Sequence, residues 1–144
     1  MFYKKYIIVL LTVVFNFCTA QTFSGVGGNI PKSDYTVFDI NVNGIGVLNS
    51  SHGLEKICVN INFPHDENLK LALRSPFGSI IILSENNGGK GSDYIGTCFD
   101  GVSTKSIALG EAPFTGNFLA ERSLGILNNN QSGDGKWSLI IYNN

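Results

Sequence analysis

The sequence predicts an all-β protein, a two-sheet antiparallel β-sandwich. Of the 144 residues, 43% are hydrophobic and 15% are charged, a balance that permits a buried core and excludes a disordered chain or a coiled coil. The 17 glycines would interrupt long helices. Apolar and polar residues alternate with a period of two in several segments, as they do in half-buried strands. The length fits one domain of about 100–200 residues.

The amino terminus has the order of a cleaved signal peptide. Two lysines precede an apolar stretch at residues 6–15, and small residues follow as far as Ala20. The stretch is shorter than the roughly 20 residues that span a bilayer, so we expect export and no membrane span. Lipidation of Cys18 is the alternative, which the bulky Phe17 before it disfavours. The mature protein is therefore predicted to be secreted or held at the cell surface.

Charge and cysteine usage describe an exported, mildly acidic domain. Removal of residues 1–20 takes two lysines and no acid, which changes the formal net charge from −1 to −3. This balance disfavours nucleic acid as a partner. Cys18 also leaves, and the even pair Cys58 and Cys98 predicts one disulfide in an oxidising compartment. Two buried free thiols are the alternative.

The mature chain divides into a lead-in segment, residues 21–34, and a β domain, residues 35–144. Glycines and a proline break any periodicity in the lead-in segment. A turn sequence at residues 75–78 separates two extended runs and predicts a hairpin. One short strand is expected within residues 103–110. The clearest strand patterns are residues 55–63, 69–74, 79–83 and 137–142.

No catalytic constellation is predicted. A serine or cysteine hydrolase needs a histidine within hydrogen-bond reach of its nucleophile. His52 lies in a loop sequence, and His65, which could orient on Asp66, follows a strand end with no nucleophile elbow anywhere in the chain. We therefore expect that the chain is not an enzyme by itself.

Calcium is the one cofactor for which the sequence offers candidate ligands, and these are Asp66, Asp100 and Asp134. Zinc-site and EF-hand spacings are absent from the sequence. Calcium binds loop carboxylates and carbonyls, although Asp and Asn also populate turns for backbone reasons. The acidic and amide residues of the predicted loops and strand ends are Asp66, Glu67, Asn68, Asp93, Asp100 and Asp134.

Five segments of the chain carry a family resemblance: GLEKICVNI at residues 53–61, PHDENLKLALRSPFG at 64–78, GTCFD at 96–100, APFTG at 112–116 and GKWSLII at 135–141. In this order they resemble the P domain (Homo B domain) that follows the catalytic domain of subtilisin-like proprotein convertases, in the form found in secreted proteins of Bacteroidetes-type bacteria. The resemblance covers about 110 residues, and the order of the five segments makes the signal specific.

The resemblance implies an eight-stranded antiparallel jelly roll without catalytic residues. It implies a role beside a subtilisin-like serine endopeptidase, as a stabilising or interaction module in proteolysis and proprotein processing, with calcium often bound in the loops. It also supports the Cys58–Cys98 disulfide. The expected partner is the protease domain or another secreted protein.

Four positions depart from the family pattern: Asn68, Gly101, Ala120 and Asn143. Three of these changes remove carboxylates, so calcium affinity is expected to be lower than in the family, or the site to be absent. The chain also ends at Asn144, before the turn and terminal strand that the family normally has. An unpaired sheet edge that could pair with a partner strand is therefore expected.

The alternative function is a jelly-roll binding module for cell-surface glycan or protein, with a role in adhesion. Sandwich folds host many functions, so the fold leaves this hypothesis open. It requires an exposed aromatic platform, for which the candidates are Tyr35, Tyr94 and Phe77.

Overall fold

A computed structural model describes residues 20–32 and 34–144, and the predicted signal peptide, apart from Ala20, lies outside them. In the described residues the chain is mostly β, with two sheets and no α-helix, which confirms the predicted all-β, sandwich-like class. Seven strands are present there, against about eight expected. The strands are β1 (Asp34–Val42), β2 (Lys56–Ile61), β3 (Leu69–Arg74), β4 (Ile80–Glu85), β5 (Tyr94–Asp100), β6 (Phe114–Phe118) and β7 (Gly135–Asn143).

The two sheets contain four and three strands, in the orders β1-β7-β3-β4 and β2-β5-β6. β3 and β4 form the predicted antiparallel hairpin. Its turn closes through hydrogen bonds between Ser75 and Ser79, and Gly78 has a φ of 89°, which glycine adopts without a Cβ clash. The residues that predicted a turn at this position therefore form the turn of the hairpin.

The antiparallel prediction is wrong for one strand pair, because β5 and β6 run parallel. The other four pairs are antiparallel. A parallel pair needs a connection of about a dozen residues or more, and the 13 residues between these strands supply it. The same connection contains a 3-10 turn, Ile107–Leu109, and an isolated bridge at Ser106, so the short strand predicted in residues 103–110 was wrong.

The core lies between the two sheets and is filled by the inward residues of the alternating strands. In β3 the inward side chains are leucines, and in β2 they are Val59 and Ile61, while Cys58 and Asn60 are exposed as the alternation predicts. The rings of Tyr94 and Phe114 stack with centroids 4.8 Å apart. The completely buried apolar residues are Leu69, Leu71, Leu83, Phe99, Ile107, Phe114 and Leu127.

A disulfide joins Cys58 on β2 to Cys98 on β5, which confirms the predicted bridge. The two residues are directly opposite in the antiparallel register, with their Cα atoms 4.0 Å apart. The bridge closes a loop with a sequence separation of 40 residues. That loop contains β3, β4 and the connection to β5, so the bridge links the ends of a segment that contributes strands to both sheets.

We predict that replacing both cysteines, Cys58→Ser with Cys98→Ser, lowers the free energy of unfolding by about 3–4 kcal/mol. The chain-entropy model gives this value for an unfolded loop of this length. Urea unfolding of the oxidised wild type and of the double variant measures it. Equal denaturation midpoints for the two proteins would show that the bridge does not stabilise the fold.

Candidate functional site

The three aspartates predicted as calcium ligands lie at three separate places. Over residues 20–32 and 34–144, no group of three or more His, Cys, Asp or Glu side chains has a geometry that could hold a metal ion. Asp66, Asp100 and Asp134 have different hydrogen-bond environments, which determine whether each carboxylate has an oxygen left to bind a ligand.

Asp134 organises a loop. Its two carboxylate oxygens accept hydrogen bonds from the N–H groups of Ile45 at 2.8 Å and Gly46 at 3.3 Å. Both oxygens therefore have backbone partners, and they fix residues 43–46 beside the start of β7. The observed role of Asp134 is to stabilise this turn.

Asp100 forms an ion pair at the end of β5. Its Oδ2 lies 2.9 Å from the Nζ of Lys56, and its Oδ1 accepts a hydrogen bond from the Val102 N–H at 3.1 Å. The hydrogen bond from Lys56 and that from Val102 hold the pKa of Asp100 below its usual value. A lysine therefore already neutralises this carboxylate.

Asp66 is completely buried, in a 3-10 turn (Asp66–Asn68) between β2 and β3. Its Oδ1 accepts a hydrogen bond from the Asp93 N–H at 3.1 Å, whereas its Oδ2 has no partner among the described residues. Burial raises the pKa of Asp66 to about 6, and the nearby charge of Asp93 adds to the rise. A buried carboxylate oxygen without a hydrogen bond is costly, so this position requires an explanation.

A glycine-rich loop, residues 86–93, lies directly over Asp66. The N–H of Asp66 donates to the Gly91 carbonyl at 2.9 Å, and the N–H of Glu67 donates to the Gly89 carbonyl at 3.1 Å. A Cβ at position 88 would lie 2.8 Å from the Phe114 ring and 3.1 Å from the Asp66 Cβ. Glycine at this position therefore allows the loop backbone to approach the carboxyl group closely.

Asp93 is the second carboxylate of this site. It has a φ of 82°, and its Oδ1 accepts a hydrogen bond from the Phe63 N–H at 2.8 Å. The sequence placed Asp93 among the loop acids, but it gave no sign that this residue would lie beside Asp66.

A polar network that runs from the core to the surface lies next to these carboxylates. The hydroxyls of Ser84 and Tyr94 are 3.1 Å apart, and the Asn87 amide donates to Ser84 Oγ at 3.0 Å and to Glu121 Oε1 at 2.7 Å. Burial raises the pKa of Tyr94 to about 12, so its hydroxyl stays protonated. Sequence analysis missed Ser84 and Glu121, because the network joins distant segments: Glu121 Oε1 also accepts a hydrogen bond from the Glu85 N–H of β4, 36 residues earlier in the chain.

The aromatic candidates for a platform separate into buried and exposed residues. Tyr94 is 1% exposed and is part of the core, so its assignment as a platform residue was wrong. Tyr35 is 56% exposed and lies beside Tyr142, and Phe77 is 78% exposed. An exposed aromatic surface is therefore available at Tyr35 and at Phe77, which lie on different elements.

Comparison with protein-family models, with curated proteins and with solved structures finds no match. The P-domain resemblance therefore stays a prediction. Across the described residues, no helix has the length and apolar character needed to cross a bilayer.

We predict that Asp66 makes the metal-free protein less stable as the pH rises from about 4 to 7. A carboxyl whose pKa is higher in the folded state favours folding when it is protonated, and this contribution is lost as the pH passes through about 6. The expected loss is on the order of 2 kcal/mol.

Urea unfolding of wild type and Asp66→Asn, both in EDTA, isolates this effect. The difference between the two free energies of unfolding should change across this pH range, because the amide does not titrate. A difference that is constant with pH would contradict the prediction.

Proposed function

We propose that this chain is a non-catalytic, secreted P (Homo B) domain that stabilises or docks to a subtilisin-like serine endopeptidase. The observation that carries the proposal is that each of the five motif segments coincides with a structural element. The segment at residues 53–61 includes all of β2, and that at 64–78 includes β3 and the hairpin turn. The segments at 96–100 and 135–141 lie within β5 and β7, and that at 112–116 includes the start of β6.

A non-catalytic role is supported by how the reactive side chains are used. The His52 ring is exposed, and its Nε2 lies 2.8 Å from the Ile45 carbonyl oxygen. Cys58 and Cys98 are joined in the disulfide, so neither thiol is available as a nucleophile. The chain would therefore act through its surface on a partner that performs the reaction.

Secretion and partner contact through a sheet edge are further parts of the proposal. A disulfide is typical of exported proteins, which supports secretion. In the described part of the chain one sheet has four strands and the other has three, and β2 and β6 form the edges of the smaller sheet. An edge strand presents backbone donors and acceptors that a partner strand can use.

Calcium is proposed as the cofactor, with Asp66 as the ligand that fits it best. Calcium prefers carboxylate and carbonyl oxygens. The unpartnered Oδ2 of Asp66, the neighbouring Asp93 carboxylate and the carbonyl groups of residues 88–91 supply oxygens of these kinds. A bound divalent cation would compensate the buried negative charge. Asp100 and Asp134 fit less well, because both oxygens of each carboxylate have partners, whereas Asp66 Oδ2 has none among the described residues.

The partner proposal predicts that adding this protein raises the thermal midpoint of a subtilisin-like protease from the same organism. A ligand that binds only the folded state stabilises it by about 2.7 kcal/mol at 100 times its Kd. Differential scanning calorimetry of a catalytically inactive protease, with and without the full chain, measures the effect. An unchanged midpoint at saturating concentration would contradict the proposal.

The calcium proposal predicts that calcium raises the thermal midpoint of the EDTA-treated chain by several degrees, in proportion to the free energy of binding. Asp66→Asn should abolish the rise. Glu111→Gln is the matched control, since Glu111 is an exposed acid outside the site, and it should respond as wild type does. An equal rise in Asp66→Asn, or no rise in wild type, would show that Asp66 does not bind calcium.

A further inference from the structure

A cleft of about 250 Å³ lies between the β3–β4 turn and the loop that precedes β7. It is separate from the Asp66 region, since none of its lining residues belongs to residues 86–93 or to the 3-10 turn of Asp66. The lining residues are Phe77, Ser79, Asn129, Asn130, Gln131 and Ser132.

The two walls of the cleft are held together by buried hydrogen bonds. The Ser75 hydroxyl donates to Gln131 Oε1 at 2.7 Å, and Gln131 Nε2 donates to the Leu127 carbonyl at 2.6 Å. Backbone bonds of 2.8 Å join Leu48 to both Gln131 and Asn130. The cleft therefore exists before any ligand arrives, which reduces the entropy lost on binding.

Phe77 provides an exposed aromatic ring at the rim of this cleft. Phe77 is 78% exposed. The turn geometry requires a particular residue only at the next position, Gly78, whose φ is 89°, so the turn does not explain an aromatic residue at position 77. The N–H of Gly78 donates to the Ser75 carbonyl at 2.9 Å, and this bond fixes the backbone beside the ring. An exposed aromatic face at the rim of a cleft can stack on the C–H groups of a flat ligand.

The polar groups of the cleft are neutral. Asn129 and Asn130 are exposed, and their side-chain amides make no hydrogen bond to the described residues. Asn130 is held in a left-handed conformation, with a φ of 69°. Amides and the Ser79 hydroxyl both donate and accept hydrogen bonds, and no lining residue carries a charge.

From these features we infer that the cleft binds a neutral saccharide. The apolar face of a sugar ring stacks on Phe77, and its hydroxyls exchange hydrogen bonds with Asn129, Asn130 and Ser79. The lack of lining charge gives no favourable partner for an anionic group. The volume is below the roughly 300–1,000 Å³ of sites for drug-sized ligands, so one sugar unit enters the cleft. This site is independent of the proposed protease partner.

The test is a printed array of neutral oligosaccharides of glucose, galactose, mannose and N-acetylglucosamine, with sialylated and sulfated glycans beside them. The full exported chain should bind at least one neutral glycan, and titration calorimetry with the same free oligosaccharide should confirm it. Phe77→Ala should weaken binding about tenfold or more, a loss equivalent to about 1.4 kcal/mol.

Val102→Ala is the matched control, because Val102 is 88% exposed and lies outside this cleft. It should bind as wild type does, and the far-ultraviolet spectrum and thermal midpoint of each variant establish that it is folded. The inference is overturned if no neutral glycan binds, if only acidic glycans bind, or if folded Phe77→Ala binds with unchanged affinity.

Discussion

The interior shared by the two sheets constrains the rest of this molecule. Each strand directs alternate side chains into this interior, and close packing there leaves little room for catalytic or ligand-binding side chains on the strands. Leu69, Leu71 and Leu73 of β3 face the inward residues of the other sheet, and the disulfide fixes β2 to β5 on the opposite side of the core. Binding groups are consequently concentrated in the turns and loops that join the strands.

Asp66 lies in one of these turns, but its carboxyl group is buried at the margin of that interior. Desolvation without compensation is unfavourable, and the raised pKa is its direct consequence. The covering loop requires a glycine at position 88 to approach so closely. A bound cation would compensate both the desolvation of the buried carboxylate and the conformational restriction of the covering loop. The calcium proposal therefore rests on Asp66 and not on Asp100 or Asp134.

The sequence predicted those features that depend on neighbours in the chain. Period-two alternation identified β2, β3 and β7, and the turn residues before Gly78 identified the hairpin. The disulfide was predictable because the predicted loss of Cys18 with a signal peptide would leave two cysteines, Cys58 and Cys98. The parallel pairing of β5 with β6, the burial of Tyr94 and the approach of Asp93 to Asp66 were not predictable. Each depends on contacts between distant segments, which local patterning does not encode.

The calcium proposal depends most on the closure of residues 86–93 over Asp66, and amide hydrogen exchange measured by NMR in EDTA tests that closure directly. The N–H groups of Asp66, Glu67 and Asp93 each donate to an acceptor within the site. They should exchange at least a hundredfold more slowly than an unstructured peptide, since opening the loop must precede exchange. Exchange of these three amides at the unstructured rate would show that the loop does not close over Asp66.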